Sequence, residues 1–233
     1  MLRPMRDLLD LAISAPDGAI GDLKDLYFDD GAWIIRCLVV ETGSWLSSHQ
    51  VLIPPMAAGS PDWANRLWPV SLSREQAMDS PAFDADGPPL GAHEAEVASL
   101  TAAGPASCHP GLGPDLHSCK ALVDATVQAP DGEVGQVQDL IVDDDGWAIR
   151  YLVVSASDWW LGHDVLVAPP WIQRVSWPDR SVSVDLTREA LKQAPWYDPA
   201  VPLSREMEIA VYRHHGRTGY WPGAVSATPR VQA

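Results

Sequence analysis

Cysteine is scarce in this chain of 233 residues. Cys37, Cys108 and Cys119 make an odd number without paired spacing, which excludes a secreted disulfide framework. Long apolar runs are missing too. A membrane helix needs about 20 consecutive apolar residues, and the best stretch, Ile34–Val40, is interrupted by Arg36. The opening MLRPMRDLLDLAIS has no signal-peptide hydrophobic region, because Asp7 and Asp10 break it. The expected location is therefore the cytoplasm, without direct membrane insertion. Basic residues are few as well: 16 Lys and Arg face 31 Asp and Glu, a net charge of −15. Such a surface repels phosphate backbones, whose binding depends on Lys and Arg releasing counterions, so nucleic acid is not an expected partner. No Ser, Cys or Asp stands in a motif that would pair a nucleophile with a base, so neither enzyme activity nor a cofactor is expected.

What the chain does have is a repeat. Ala15–Pro55 recurs as Ala129–Pro169 at a constant offset of 114, with 20 of 41 positions identical and no gap. The charge repeats with it, since residues 1–87 and residues 118–203 each carry 6 basic against 13 acidic side chains. This predicts a first domain over 1–88, a linker over 89–115, a second domain over 116–203 and a C-terminal tail over 204–233. The eleven Trp and many Val, Ile and Leu supply core area without staples, each buried side chain being worth roughly 1.5–3 kcal/mol.

Within each copy, a short turn or helical piece leads to a strand, Leu11–Ala15 or Ala125–Ala129. Asp17-Gly18 and Asp131-Gly132 follow, and Asp-Gly between apolar runs signals a hairpin. Ile20–Phe28 and Val134–Val142 end in acidic turns, and Trp33–Val40 and Trp147–Val154 read as strands apolar on both faces. A Trp-containing loop and a strand closed by proline come next, Val51–Ile53 or Val165–Val167. In the second copy Trp171–Trp177 and Ser181–Leu186 predict another hairpin; the first copy departs over Met56–Pro69, where irregularity is expected. Ser73 with Gln76 is a capping box and Thr187 an N-cap, each opening a short helix stopped by Pro81 or Pro195. Ala, Gly and Pro dominate Gly87–Asp115. In the tail, Ser204 can cap a helix over Arg205–His215 whose Met207, Ala210, Val211 and His214 share one face, with Gly216 as its stop.

The succession DG-x-[IV]-G, D-L-x-x-D-D, W-x-I-R-x-L-V-V, the Trp loop, V-L-[IV]-x-P and L-[ST]-R-E resembles the PRC-barrel family, named for the cytoplasmic domain of the H subunit of the photosynthetic reaction centre. The second copy with Tyr212-Arg213-His214-His215-Gly216 and Tyr220-Trp221 is similar to soluble bacterial members. The resemblance implies an all-β fold of two small antiparallel barrels in tandem, each with a short helix, followed by the helical and aromatic tail. It also implies a protein-interaction or assembly module, since one relative caps the reaction centre and another is the protein-binding part of a ribosome maturation factor. The expected partner is thus a protein, a second copy of the chain included. An accessory role in an electron-transfer complex, or a small-ligand site between the barrels, are the rival readings.

Several residues are candidates for such roles. Trp45, Trp159 and Trp160 in the loop, with Tyr220 and Trp221 in the tail, would serve a partner if exposed, because aromatics dominate interface hot spots. Arg36 and Arg150 could hold an anion, but pairing with Asp25 and Asp139 is the simpler expectation. His49 and His163 occupy equivalent places, and His titrates near neutrality, but a local turn contact for each is the simpler expectation. Asp29-Asp30 and Asp143-Asp144-Asp145 read as solvated turns, and the Cys108, His109, His117 and Cys119 group lacks zinc-ligand spacing, so no metal is expected.

Overall fold

The computed structural model describes residues 1–44, 47–79, 82–83, 116–155 and 163–224. The linker and the loop Trp45, Trp159 and Trp160 lie outside them. The chain is mainly β, with strands β1 (Leu2–Pro4), β2 (Ala12–Ala15), β3 (Gly18–Asp29), β4 (Ile34–Ser44), β5 (Ser47–Ile53), β6 (Leu67–Pro69), β7 (Ala82–Phe83), β8 (Leu116–Ser118), β9 (Thr126–Ala129), β10 (Gly132–Asp143), β11 (Ala148–Ser155), β12 (Asp164–Val167), β13 (Ile172–Ser176), β14 (Ser181–Val184) and β15 (Trp196–Tyr197). Short helices are α1 (Met5–Leu8), α2 (Arg74–Met78), α3 (Cys119–Leu122) and α4 (Arg188–Lys192); α5 (Arg205–His214) is longer.

The expectation of separate antiparallel barrels needs correction. The ladders form one open, mixed sheet of 15 strands, in the order β13-β14-β9-β10-β11-β4-β3-β2-β6 with side branches. No closed ring of strands occurs among the described residues. Two pairings are parallel, β2 with β6 and β14 with β9. Prolines account for part of the opening. β5 and β12 run into 3-10 turns at Pro55–Ala57 and Pro169–Trp171, and a residue without an N–H cannot extend a ladder.

Contacts divide the chain into two compact units that do not coincide with the two sequence copies. One holds Met1–Pro4, Leu122–Asp143 and Arg150–Ala233; the other holds Met5–Ala121 and Asp144–Ile149. Each has a 12-residue strand whose hairpin partner has only four. The outer half of that strand would be an open edge of N–H and C=O groups. In the first unit, Leu2, Arg3 and Pro4 cover it opposite Asp143, Val142 and Ile141 of β10. In the second, Leu116, His117 and Ser118 lie opposite Asp29, Phe28 and Tyr27 of β3. Each repeat is thus completed by the leading strand of the other copy.

Local rules of the sequence hold in both units. Gly18 and Gly132 take positive φ of 136° and 131° at the Asp-Gly turns, as only glycine does readily. Asp17 and Asp131 also accept the backbone N–H of Arg74 and Arg188 at 2.9 Å, tying turn to helix start. Ser73 and Gln76 form the full capping box, and Thr187 Oγ1 accepts the Ala190 N–H. Trp33 and Trp147 lie outside their strands, because both adopt positive φ (57° and 51°) in the acidic turn. In the second unit Ile35 donates to Trp147 O at 2.7 Å, Ile149 donates to Trp33 O at 2.8 Å, and Trp147 stacks on buried Trp68. The first copy is irregular over Met56–Pro69, where isolated bridges Ala58↔Val70 and Asp62↔Leu67 stand in place of a β13-like strand. Its turn survives nonetheless, with Arg66 at φ 51° matching Arg180 at 46°.

Candidate functional site

The densest polar and aromatic arrangement in the first unit is built by the tail on β11. Ser204 Oγ accepts the Met207 N–H and starts α5. The helix buries Glu208, Val211 and Tyr212, so its inward stripe is set one residue away from the expected Met207, Ala210, Val211 and His214 face. The reason is Tyr151. Its ring is fully buried on β11, and a buried hydroxyl requires a partner. Glu208, 1% exposed, supplies it: Oε1 accepts both the Tyr151 and the Tyr220 hydroxyls at 2.8 Å, while Oε2 meets Arg205 at 2.8 Å. Burial, then the Glu208 charge, pushes the Tyr151 hydroxyl far up, and Tyr212 and Tyr220 are pushed up to about 12 by burial and Glu208. All three phenols are therefore neutral at physiological pH, and Tyr151 and Tyr220 act as donors to Glu208.

Aromatic rings close the arrangement. Tyr212 meets Trp171 edge-on at 5.0 Å, Tyr151 at 6.3 Å and Trp221 at 5.2 Å. Arg150 lies 4.2 Å over the Tyr220 ring and Arg205 lies 4.6 Å over Trp221. Cation–π contacts of this kind are worth roughly 0.5–1 kcal/mol at exposed sites and more when desolvated. Tyr220 and Trp221 are thus half-buried clasps of the tail. The first copy carries Cys37 at the position equivalent to Tyr151, so Glu208 has no hydroxyl counterpart there. That difference between copies was the sequence signal for this site.

His215 continues the inward stripe at 4.9 Å from Trp171, and both its ring nitrogens are shielded without a hydrogen-bond partner. Burial, helped by His214 and Arg217 and opposed by Asp185, lowers its pKa to about 4. Above pH 6.5 the ring is neutral in both states. As pH falls from about 6.5 toward 4, the unfolded chain takes up a proton that the folded one refuses, and stability drops. Discounted for partial solvent screening, the loss is on the order of 1 kcal/mol, or about 4–8 °C in Tm. His215→Phe should remove that part of the acid slope, read as a Tm difference from wild type that widens between pH 7 and pH 4.

The arginines pair with other carboxylates than expected. Arg36 donates to Asp29 at 3.0 Å, not to Asp25, and Arg150 donates to Asp143 at 2.9 and 3.2 Å, not to Asp139. Strand alternation places Asp25 and Asp29 on one face, but the register shifts between Tyr27 and Phe28, and a one-residue slip exchanges the faces. Burial acts to raise the Asp29 pKa, yet hydrogen bonds from Arg36, Ala32 and Gly31 outweigh it and hold the carboxyl low. Asp25 instead accepts from the Ser118 hydroxyl at 2.5 Å and the Leu26 N–H at 2.7 Å, with burial keeping its pKa raised. Asp139, 2% exposed, accepts the Leu140 N–H at 2.8 Å.

His49 is exposed, whereas His163 packs at 4.3 Å on Trp196, itself 62% exposed. His117 lies 3.4 Å from Asp30, and Cys119 is fully buried with its thiol pKa driven up by that burial. Cys108 and His109 lie outside the described residues. No protein-family model matches the chain, and no curated protein matches it in sequence.

Proposed function

We propose that the protein is a non-enzymatic, cytoplasmic interaction or assembly module made of two PRC-type repeats, which engages a protein partner through aromatic surface. The observation that carries this reading is Trp196. It stands 62% exposed on the two-residue strand β15, with His163 against its ring. A large exposed indole braced by a neighbour suits a hot-spot anchor, since Trp is enriched among residues that dominate binding energy. The absence of a membrane-length apolar helix among the described residues is compatible with this reading.

The chemistry of the buried groups supports it as well. Glu208 is saturated by two hydroxyls and a guanidinium, and Arg36 and Arg150 are each engaged by a carboxylate. Groups so satisfied hold structure and are poorly placed to act as acid, base or anion clamp.

The test is affinity capture from the native host with wild type and Trp196→Ala in parallel. Losing a hot-spot Trp is worth about 2 kcal/mol or more, so affinity for the captured partner should fall roughly 30-fold or more. Stability should change by less than about 0.5 kcal/mol, as for an exposed side chain. Equal retention of partners by both forms would reject Trp196 as the anchor.

A further inference from the structure

Beside the Glu208 cluster, α5 and the loop that follows it shape a half-open cavity of about 200 Å³ lined by Tyr212, Arg213, Arg217, Gly219, Trp221 and Gly223, among others. We propose that this cavity binds a small monocarboxylate carrying a flat apolar group, with an aryl carboxylate as the simplest example.

The walls define the apolar half of that ligand. The half-buried Trp221 indole, braced edge-to-face at 84° by the buried Tyr212 ring, supplies one flat apolar wall for an aromatic group. Gly219 keeps the indole in place, because a Cβ there would overlap the Trp221 ring. Gly223, at φ 80°, turns the chain back along the opposite rim.

The charges define the polar half. Arg217 donates to Asp185 at 2.6 Å, which fixes the guanidinium and neutralises it. Arg213 is exposed and takes no side-chain partner among the described residues. The cavity is therefore left with one uncompensated positive charge, matched to a monoanion. A planar guanidinium fork fits a carboxylate through two parallel hydrogen bonds. Size sets the limit. At the ~30 Å³ that a water molecule occupies in the liquid, the space corresponds to about seven such volumes, well below that of a drug-sized ligand.

Such a carboxylate can come from a free metabolite or from the C-terminus of a partner chain ending in an aromatic residue. The experiment is isothermal titration of the full chain with benzoate, with inorganic phosphate, and with a pentapeptide ending in Phe as free acid and as amide. Benzoate should bind with a dissociation constant below about 1 mM, and Arg213→Ala should weaken it at least tenfold, the loss expected for one charge-assisted pair, while leaving Tm unchanged. Binding of the free-acid peptide more tightly than benzoate, with the amide weaker, would identify a chain terminus as the source; benzoate tighter than the peptide would identify a free acid. Either supports the site. Phosphate binding equal to benzoate, an Arg213→Ala variant that binds benzoate normally, or no benzoate heat at 10-fold above ~1 mM would overturn it. Arg213→Glu serves as a second variant, and it should abolish benzoate binding without unfolding the chain, since the side chain is exposed.

Discussion

Glu208→Ala should lower the stability of the first unit by about 3–5 kcal/mol, the range for removing one member of a buried, charge-assisted set. The loss exceeds that of a single hydrogen bond because three donors depend on this carboxylate: the Tyr151 and Tyr220 hydroxyls and the Arg205 guanidinium. Tyr151 lies at 0% exposure and cannot turn to water, so its hydroxyl would bear the full penalty of an unmade bond. Differential scanning calorimetry should show one transition shifted down by roughly 10 °C or more. Glu208→Gln retains a carbonyl oxygen for the tyrosines and should cost only about 1–2 kcal/mol. Because Tyr151→Phe removes the stranded donor, adding it to Glu208→Ala should recover part of the loss, a coupling of about 1 kcal/mol or more in a double-mutant cycle. Additive losses would show that the Tyr151–Glu208 bond contributes nothing of its own.

The second large effect lies in the other unit. Gly21 pairs with Thr42 across β3 and β4, and a Cβ on it would overlap the backbone carbonyl of Glu41. Backbone on both sides leaves no rotamer to move, so Gly21→Ala must separate the strands or shift their register. We expect more than about 3 kcal/mol of destabilisation, in the range of exceptional single substitutions, seen as insoluble expression or loss of the second unit's transition. Gly31→Ala is the control. Its Cβ would approach only the Asp29 Oδ1 side chain at 3.3 Å, and the change should stay within about 1 kcal/mol. Similar behaviour of the two variants would mean that β3 and β4 are not as close at Gly21 as described.

Gly21 belongs to the DG-x-[IV]-G motif, but its close approach to Glu41 on β4 was not read from the sequence; the signals that were legible are local. The Asp-Gly turns, the Ser73 capping box, the Ser204 cap and most strand positions depend on near neighbours in sequence, and they form where the residues predict them. What failed was long-range. Periodicity tells which face of a strand is buried but not which strand lies beside it, so the parallel β2–β6 and β9–β14 pairs and the exchange of β1 and β8 were not readable. The Arg36 partner was misplaced by one bulge, between Tyr27 and Phe28, that no residue type announces. Glu208 was missed for a different reason. A carboxylate on a helix reads as solvent-facing, and only a fully buried Tyr151 without another acceptor turns it inward.

The strand exchange also sets an order of events during synthesis. Leu2–Pro4 is made long before the strand it covers, which ends at Asp143, so these residues must wait for β10. The other unit is likewise unfinished until Asp144–Ile149 has been made. At about 5–20 residues per second, the stretch from Leu2 to Ile149, the last part of that unit, takes roughly 7–30 s to make. Until Leu116–Ser118 has been made the outer end of β3 is an exposed template, and Leu2–Pro4 waits unpaired for β10, so a chaperone or a neighbouring nascent chain would meet both before their own partner strands do.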